Sequence, residues 1–352
     1  MVGGSMMANN NMLTKAQYLC VDNFLTDFLQ TQILKSAFET GLIDLLQTEG
    51  ELSFESLCRS LRIDAEGGKL IIDLLLQNQV LQQSKQNISF TDDFKQALNF
   101  RDLLEAKIEF ANLLVPDVMN NLKDYIQDMD SFMQQSDIFD LFSYHRAYES
   151  TKENLQITRK WMKYTTVLTR YEAGVFLENF NLSEYKTAMD IGGNSGEFMS
   201  QMCSSHSGLR GTVVDLPVVC DIGQKHIAGR ASSERVQFHK ADALQHELPT
   251  DFDLVTFKSI LHDWPDEAVD TYISKAYDSL ALNGDIVIFE RINSDAQTPV
   301  PVFGNLPVFI FMRFYRQADL YYRLLEKYGF SDIKTISIDL EMPFVIISAK
   351  KK

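Results

Sequence analysis

The sequence predicts an α/β protein in which a mainly helical N-terminal half precedes a domain built on a largely parallel sheet. Three observations carry this. From Ala188 onward, short β-branched runs alternate with helical stretches, at Ala188–Ile191, Thr212–Val214, Val236–Phe238, Leu254–Phe257 and Asp285–Phe289. A glycine-rich turn, Asp190-Ile191-Gly192-Gly193-Asn194-Ser195-Gly196, joins the first of these runs to a predicted helix. Before Ala188, apolar residues recur at helical spacing instead.

Taken in order, Val21, Phe24, Leu25, Phe28 and Leu29, then Ile33, Leu34, Ala37 and Phe38, form a helical face that Gly41 punctuates. Leu52–Thr91 reads as helix, helix, strand, turn, strand. Ser53 caps its first helix, Gly67-Gly68 precedes the apolar run Leu70–Leu76, and Val80-Leu81 and Ile88–Phe90 flank a polar turn. That order is winged-helix-like. Residues 100–185 continue as helical sequence rich in Phe, Leu, Met and Tyr. Near the end, Thr335–Ile338 and Phe344–Ser348 predict an antiparallel hairpin. Three units follow: 12–100, 101–185 and 186–352.

The bulk properties narrow the function. At 352 residues the chain favours about two domains, and 45% hydrophobic residues with 23% charged ones describe an ordinary globular protein. The net charge of −15 repels phosphate backbones and argues against nucleic acid as a partner. Cys20, Cys58, Cys203 and Cys220 are scattered, with no CxxC pair, so they read as reduced thiols of a cytoplasmic protein and not as a metal site. No apolar run is long enough to span a membrane, and the polar start lacks the apolar core of a secretion signal.

The glycine turn is the sharpest local signal. Such a turn lets a ligand approach the backbone closely. A dinucleotide fingerprint counted from Gly192 would need glycine where Asn194 and Glu197 stand, and no Gly-Lys-Ser/Thr follows to make a phosphate loop. Asp215 ends the next strand, where a carboxylate can accept both hydroxyls of a ribose. Asp242 and Lys258 follow two further strands, and strand ends of an open α/β sheet converge on one crevice. Together these positions point to a nucleoside cofactor and do not require phosphates.

DIGGNSGEF, VVDLP, HKADAL, FKSILHDWPDEA and IVIFERI, in this order and spacing, resemble the small-molecule O-methyltransferase family that acts on plant phenolics, acetylserotonin and bacterial aromatic metabolites. The resemblance is strongest over 188–292 and looser over 16–91. It implies a Rossmann-like class I methyltransferase domain preceded by a winged-helix-like dimerisation domain, and S-adenosyl-L-methionine as cofactor. It implies that Asp190, Gly192 and Gly196 form the cofactor loop, that Asp215 with Leu216 meets the ribose, that Asp242 and Ala243 meet the adenine, and that Lys258 lies nearby. His262 matches the family's general base and Glu290 one of two acids flanking it, while Met162, Asp263, Trp264, Phe303, Phe309 and Tyr315 fall at the small-molecule acceptor. A homodimer is implied, and no metal.

Two departures stand out. Asn194 replaces a glycine of the family's turn, a position where Asn tolerates positive φ. Tyr315, in MRFYRQ, stands where the second acid is expected.

A phenol resembles a tyrosine side chain, with pKa about 10, so a histidine base suits its deprotonation. The remaining histidines, His145, His206, His226, His239 and His246, read as structural. Three functions stay open: O-methylation of a phenolic or enolic metabolite; C- or N-methylation, or a non-methylating reaction, with the same cofactor; and a winged-helix regulator, which the charge and the near-isolation of Lys69 oppose.

Overall fold

A computed structural model describes residues 16–293 and 302–352. The apolar spacing over 21–46 resolves into a 3-10 segment, Gln17–Phe24, and two α-helices, Phe28–Glu39 and Leu42–Glu49. Asp27 caps the first α-helix by accepting from the Gln30 amide at 2.9 Å. Gly41 separates the two at φ +79°, a left-handed conformation that glycine adopts freely.

Strand β1, Glu51–Ser53, is absent from the sequence reading; it precedes the expected helices Phe54–Leu61 and Ala65–Gln77. Strands β2, Leu81–Ser84, and β3, Asn87–Phe90, follow, and the three pair antiparallel in the order β1-β3-β2. Two long helices, Arg101–Gln127 and Lys152–Asn179, dominate the middle of the chain. Thr151 starts the second by accepting from the Asn154 amide at 3.1 Å.

The second half is the expected α/β domain. Its seven strands are β4 Thr187–Ile191, β5 Arg210–Asp215, β6 Val236–Lys240, β7 Phe252–Lys258, β8 Leu280–Arg291, β9 Phe330–Asp339 and β10 Pro343–Lys351. They lie in the order β6-β5-β4-β7-β8-β10-β9. The first five are parallel, and β10 pairs antiparallel with both β8 and β9, as the terminal hairpin required. The near-continuous apolar runs of the central strands match burial on both faces; Leu254, Val255, Phe257 and Ile286–Ile288 are almost wholly buried. The chain starts at β4 and leaves it toward β5 on one side and β7 on the other, which opens a crevice at the carboxyl ends of these strands.

Candidate active site

A cavity of about 200 Å³ occupies that crevice and extends under the helical half. One end is walled by Gly192, Asn194, Asp215, Leu216, Asp242 and Ala243, which follow β4, β5 and β6. The other end is aromatic, with Phe110, Phe142, Tyr144, Trp161, Phe311 and Tyr315. Between them stand His262, Asp263, Trp264 and Lys258, all from the segment after β7 or its last residue.

The glycine turn shapes the first end. Gly192 has φ +70°, and a methyl group on it would lie 1.9 Å from Ile260 Cδ1. Asn194 adopts φ +54°, the left-handed conformation that its side chain tolerates. Its amide donates to Asp215 Oδ2 at 2.8 Å, and the Leu216 amide donates to Oδ1 at 2.7 Å. Burial pushes Asp215 up to about 6 against these two bonds. Asp190 is deeper: burial raises it to about 7, Thr256 donates to Oδ1 at 2.6 Å, and Oδ2 has no partner among the described residues. Gly196 caps the helix Glu197–Ser205 at φ +73° and does not itself line the cavity.

These residues fit the nucleoside part of S-adenosylmethionine. Gly192 packs against Ile260 where no side chain fits, so its backbone stays bare in the cavity wall, and Asp215 keeps lone pairs for a ribose diol. Asp242, in the same wall, already accepts from Tyr148 Oη at 2.7 Å and Gln245 Nε2 at 2.6 Å on Oδ2 and from the Leu244 amide at 2.9 Å on Oδ1. Lys258 gives its ammonium to Thr169 at 3.0 Å and to Glu172, both in the cavity wall. Glu172 also pairs with Arg291, which in turn pairs with Glu341, so the wall contains two buried cations balanced by two buried anions. Buried charges persist only when matched in this way. Burial opposes ionisation of Glu172, but Arg291 and Lys258 outweigh it and hold the carboxyl near 2.

At the centre, Glu290 is fully buried at the end of β8 and accepts three hydrogen bonds. Oε1 takes the amides of Ile260 and Leu261, both at 2.7 Å, and Oε2 faces His262 Nδ1 at 2.8 Å. The two backbone bonds lock the carboxylate, and the carboxylate orients the ring. His262 Nε2 lies 3.3 Å from Asp263 Oδ1. Asp263 Oδ2 accepts from Tyr144 Oη at 2.6 Å, and the Tyr144 ring stacks on Trp264. Burial opposes charging His262, but Asp263 and Glu290 together outweigh it and raise its pKa above the ordinary 6.5.

Three of the residues expected at the acceptor do not line this cavity. Met162 is buried against Ala147, Val218 and Val219, on the side of its helix turned from the cavity. The cavity stripe of that helix is Trp161, Thr165, Leu168, Thr169 and Glu172, one helical face. Phe309 packs on Tyr125, while Pro307, Val308 and Phe311 of the same short helix face inward. Phe303 meets Phe28 edge-on outside the cavity. The structure brings His262, Glu290, Asp263, Trp264 and Tyr315 together. The sequence reading missed Tyr144, Trp161, Glu172 and Arg291. The stripe from Trp161 to Glu172 was available as helical periodicity, whereas Tyr144 reaches the site from a remote turn that no local pattern announces.

Known proteins place these features in context. The family model of the O-methyltransferase domain matches residues 119–331. The chain is 32% identical over 160 residues to the 3-hydroxy-5-methyl-1-naphthoate 3-O-methyltransferase of Streptomyces sahachiroi, covering 44% of this chain and 46% of that protein. The chain thus spans about half the length of that relative. It is 24% identical to the N,N-dimethyltransferase OxyT of Streptomyces rimosus over 84% of both. The crystal structure of human N-acetylserotonin methyltransferase in complex with S-adenosylmethionine superimposes with a TM-score of 0.71 at 19% identity, covering 92% of this chain and 94% of that one.

Proposed function

Because the chain belongs to the O-methyltransferase domain family, we propose that it transfers a methyl group from S-adenosylmethionine to a phenolic or enolic hydroxyl of a small aromatic acceptor, with His262 as general base. The observation that carries this reading is the position of His262. It lines the same cavity as Gly192, Asp215 and the aromatic side chains of Phe142, Trp161 and Tyr315, with its Nδ1 on a buried carboxylate.

When bound, the cofactor supplies a methyl group on a sulfonium, transferred by in-line displacement, for which alignment in a desolvated site is the main requirement. Gly192, Asp215 and Leu216, which line the cavity, would hold its nucleoside and methionine portions, with Asp190 and Gly196 shaping the turn behind them, and Asp242 and Ala243 would flank the adenine. Lys258 keeps Glu172 neutralised at the wall. The chain's own chemistry is proton transfer. Glu290 takes the proton on Nδ1 as a hydrogen bond, so the lone pair of His262 is on Nε2, toward the cavity. The acceptor hydroxyl gives its proton to Nε2 as the new O–C bond forms. Glu290 and Asp263 then stabilise the imidazolium. Trp264, Tyr144 and Trp161 supply flat apolar surface for an aromatic ring.

The units 12–100, 101–185 and 186–352 are proposed as a winged-helix-like dimerisation domain, a helical connection roofing the acceptor, and the catalytic domain. Exposed Phe28 and Leu29, with Met119 and Ile126 on the long helix, support a homodimer. No described helix is long and apolar enough to cross a membrane. Four free thiols support a cytoplasmic setting.

An acceptor screen with S-adenosylmethionine, read by mass spectrometry for one added methyl group, tests the reaction. His262→Ala should lose about 10²–10⁴ in rate on an un-ionised hydroxyl; full activity would remove His262 from the mechanism. N-methylation is the second reading, favoured by the likeness to OxyT, and fragmentation of the product separates N-methyl from O-methyl.

A further inference from the structure

Tyr315 follows the turn Met312–Phe314, and its position beside β8 is fixed from both sides. The Asn293 amide donates to the carbonyl of Arg316 at 2.8 Å, and Arg316 donates to the carbonyl of Leu261 at 2.8 Å and to Asp266 at 2.9 Å. The Tyr315 ring meets the His262 ring edge-on, with centroids 5.1 Å apart. The residue is only 8% exposed, and it lines the cavity.

No hydrogen bond joins its hydroxyl to another described residue, the hydroxyl is not one of the atoms sealed from solvent without a partner, and the carboxylates around it are already engaged. Glu290 holds three donors, Asp263 holds Tyr144, and Glu341 holds two nitrogens of Arg291. Burial, with Glu341, Asp263 and Glu290 prevailing over Arg291, keeps the phenol far above its ordinary pKa. Tyr315 therefore keeps its proton and has it free to donate. A hydroxyl on a cavity-lining residue, with a proton to spare, is placed to donate to a ligand that fills the cavity.

We propose that Tyr315 is a specificity-determining residue whose hydroxyl donates to a second oxygen of the acceptor, a carbonyl ortho to the reacting hydroxyl. The proposal rests on the reaction above only in taking His262 as the group that meets the reacting oxygen. Two side chains in ring contact grip neighbouring oxygens on one aromatic ring, so a para carbonyl is out of register. A carboxylate at this place could only accept, and would select a diol; the neutral phenol selects an oxygen that accepts.

The test is calorimetric binding, with S-adenosylhomocysteine present, of phenol, 2-hydroxyacetophenone, 4-hydroxyacetophenone and catechol. Wild-type protein should bind 2-hydroxyacetophenone about tenfold more tightly than phenol or the para isomer, the effect of one well-formed buried hydrogen bond. Tyr315→Phe keeps the ring contact with His262, and should abolish that preference while holding phenol affinity within about twofold. Tyr315→Glu should move the preference to catechol, a reversal that a merely structural ring would not produce. Equal affinity for phenol and 2-hydroxyacetophenone, survival of the preference in Tyr315→Phe, or binding of none of the four by the wild type overturns the proposal. Binding needs no methyl transfer, so an acceptor screen without product would sink the reaction and leave this test standing.

Discussion

Glu290→Gln changes one atom of the site from an acceptor to a donor. In the wild type, Oε1 accepts the Ile260 and Leu261 amides at 2.7 Å and Oε2 faces His262 Nδ1 at 2.8 Å. A glutamine keeps the two backbone bonds only by placing its carbonyl there, which turns its NH₂ toward Nδ1. The opposite orientation would strand two buried donors, at about 1–3 kcal/mol each. The imidazole must then present a lone pair at Nδ1 and carry its proton on Nε2, the nitrogen that should receive one. Recovering the useful tautomer sets two donors against each other, costing about 1–3 kcal/mol. Loss of the anion withdraws roughly another 1.5–3 kcal/mol from the imidazolium formed on proton transfer. The sum, about 2.5–6 kcal/mol, corresponds to a loss of roughly 10²–10⁴ in kcat. The assay is kcat and KM by mass spectrometry on the acceptor from the screen, beside calorimetric cofactor affinity. Cofactor Kd should stay within about threefold, since Glu290 does not line the cavity. More acidic hydroxyls need less help and should recover part of the rate. A variant within about tenfold of wild-type kcat, or one equally slow on acidic hydroxyls, refutes the assignment of Glu290 as the orienting group.

Three further outcomes follow from the same geometry. A base works when neutral, so the acid limb of kcat/KM should lie above 6.5, where Asp263 and Glu290 hold His262; Asp263→Asn should move that limb to lower pH, and an unmoved limb would contradict the coupling. Asp190 and Asp215, held at about 7 and about 6 against 3.8 for a free carboxyl, bind protons more tightly in the folded chain. Stability of the cofactor-free protein should therefore fall as pH rises from the ordinary carboxyl range toward 7, and Asp190→Asn should flatten the melting profile. Gly192→Ala forces a methyl group to 1.9 Å from Ile260 and an alanine into φ +70°, so S-adenosylhomocysteine binding should drop at least about tenfold; unchanged affinity would remove the turn from the cofactor site.

The fold was legible where local chemistry and tertiary demand agree. Central strands buried on both faces must be apolar and β-branched, so β4, β5, β7 and β8 announced themselves, though β8 runs from Leu280 to Arg291, well beyond the expected Asp285–Phe289. Residues at strand ends were also readable, because the end of a parallel strand has a defined place in an open sheet: Gly192, Asp215, Asp242, Lys258 and Glu290 all stand at or just after such ends. The expected helical face over 21–46 was interrupted at Leu25–Asp27, since a 3-10 segment shares nearly the helical spacing.

By itself, then, the sequence determined the α/β class, the succession of its strands along the chain and the strand ends that carry glycine and acid, because strand period, glycine turns and strand-end polarity are local properties. The tertiary structure decided which side of each helix faces the cavity. Met162 and Trp161 are neighbours in sequence, yet only Trp161 reaches it, because successive helical residues point about 100° apart and packing alone selects the inward face. It also decided the company of His262. Asp263 was next to it in the chain, but Tyr144, Tyr315 and the balanced charges of Glu172, Lys258, Arg291 and Glu341 come from distant segments, joined by burial and not by spacing.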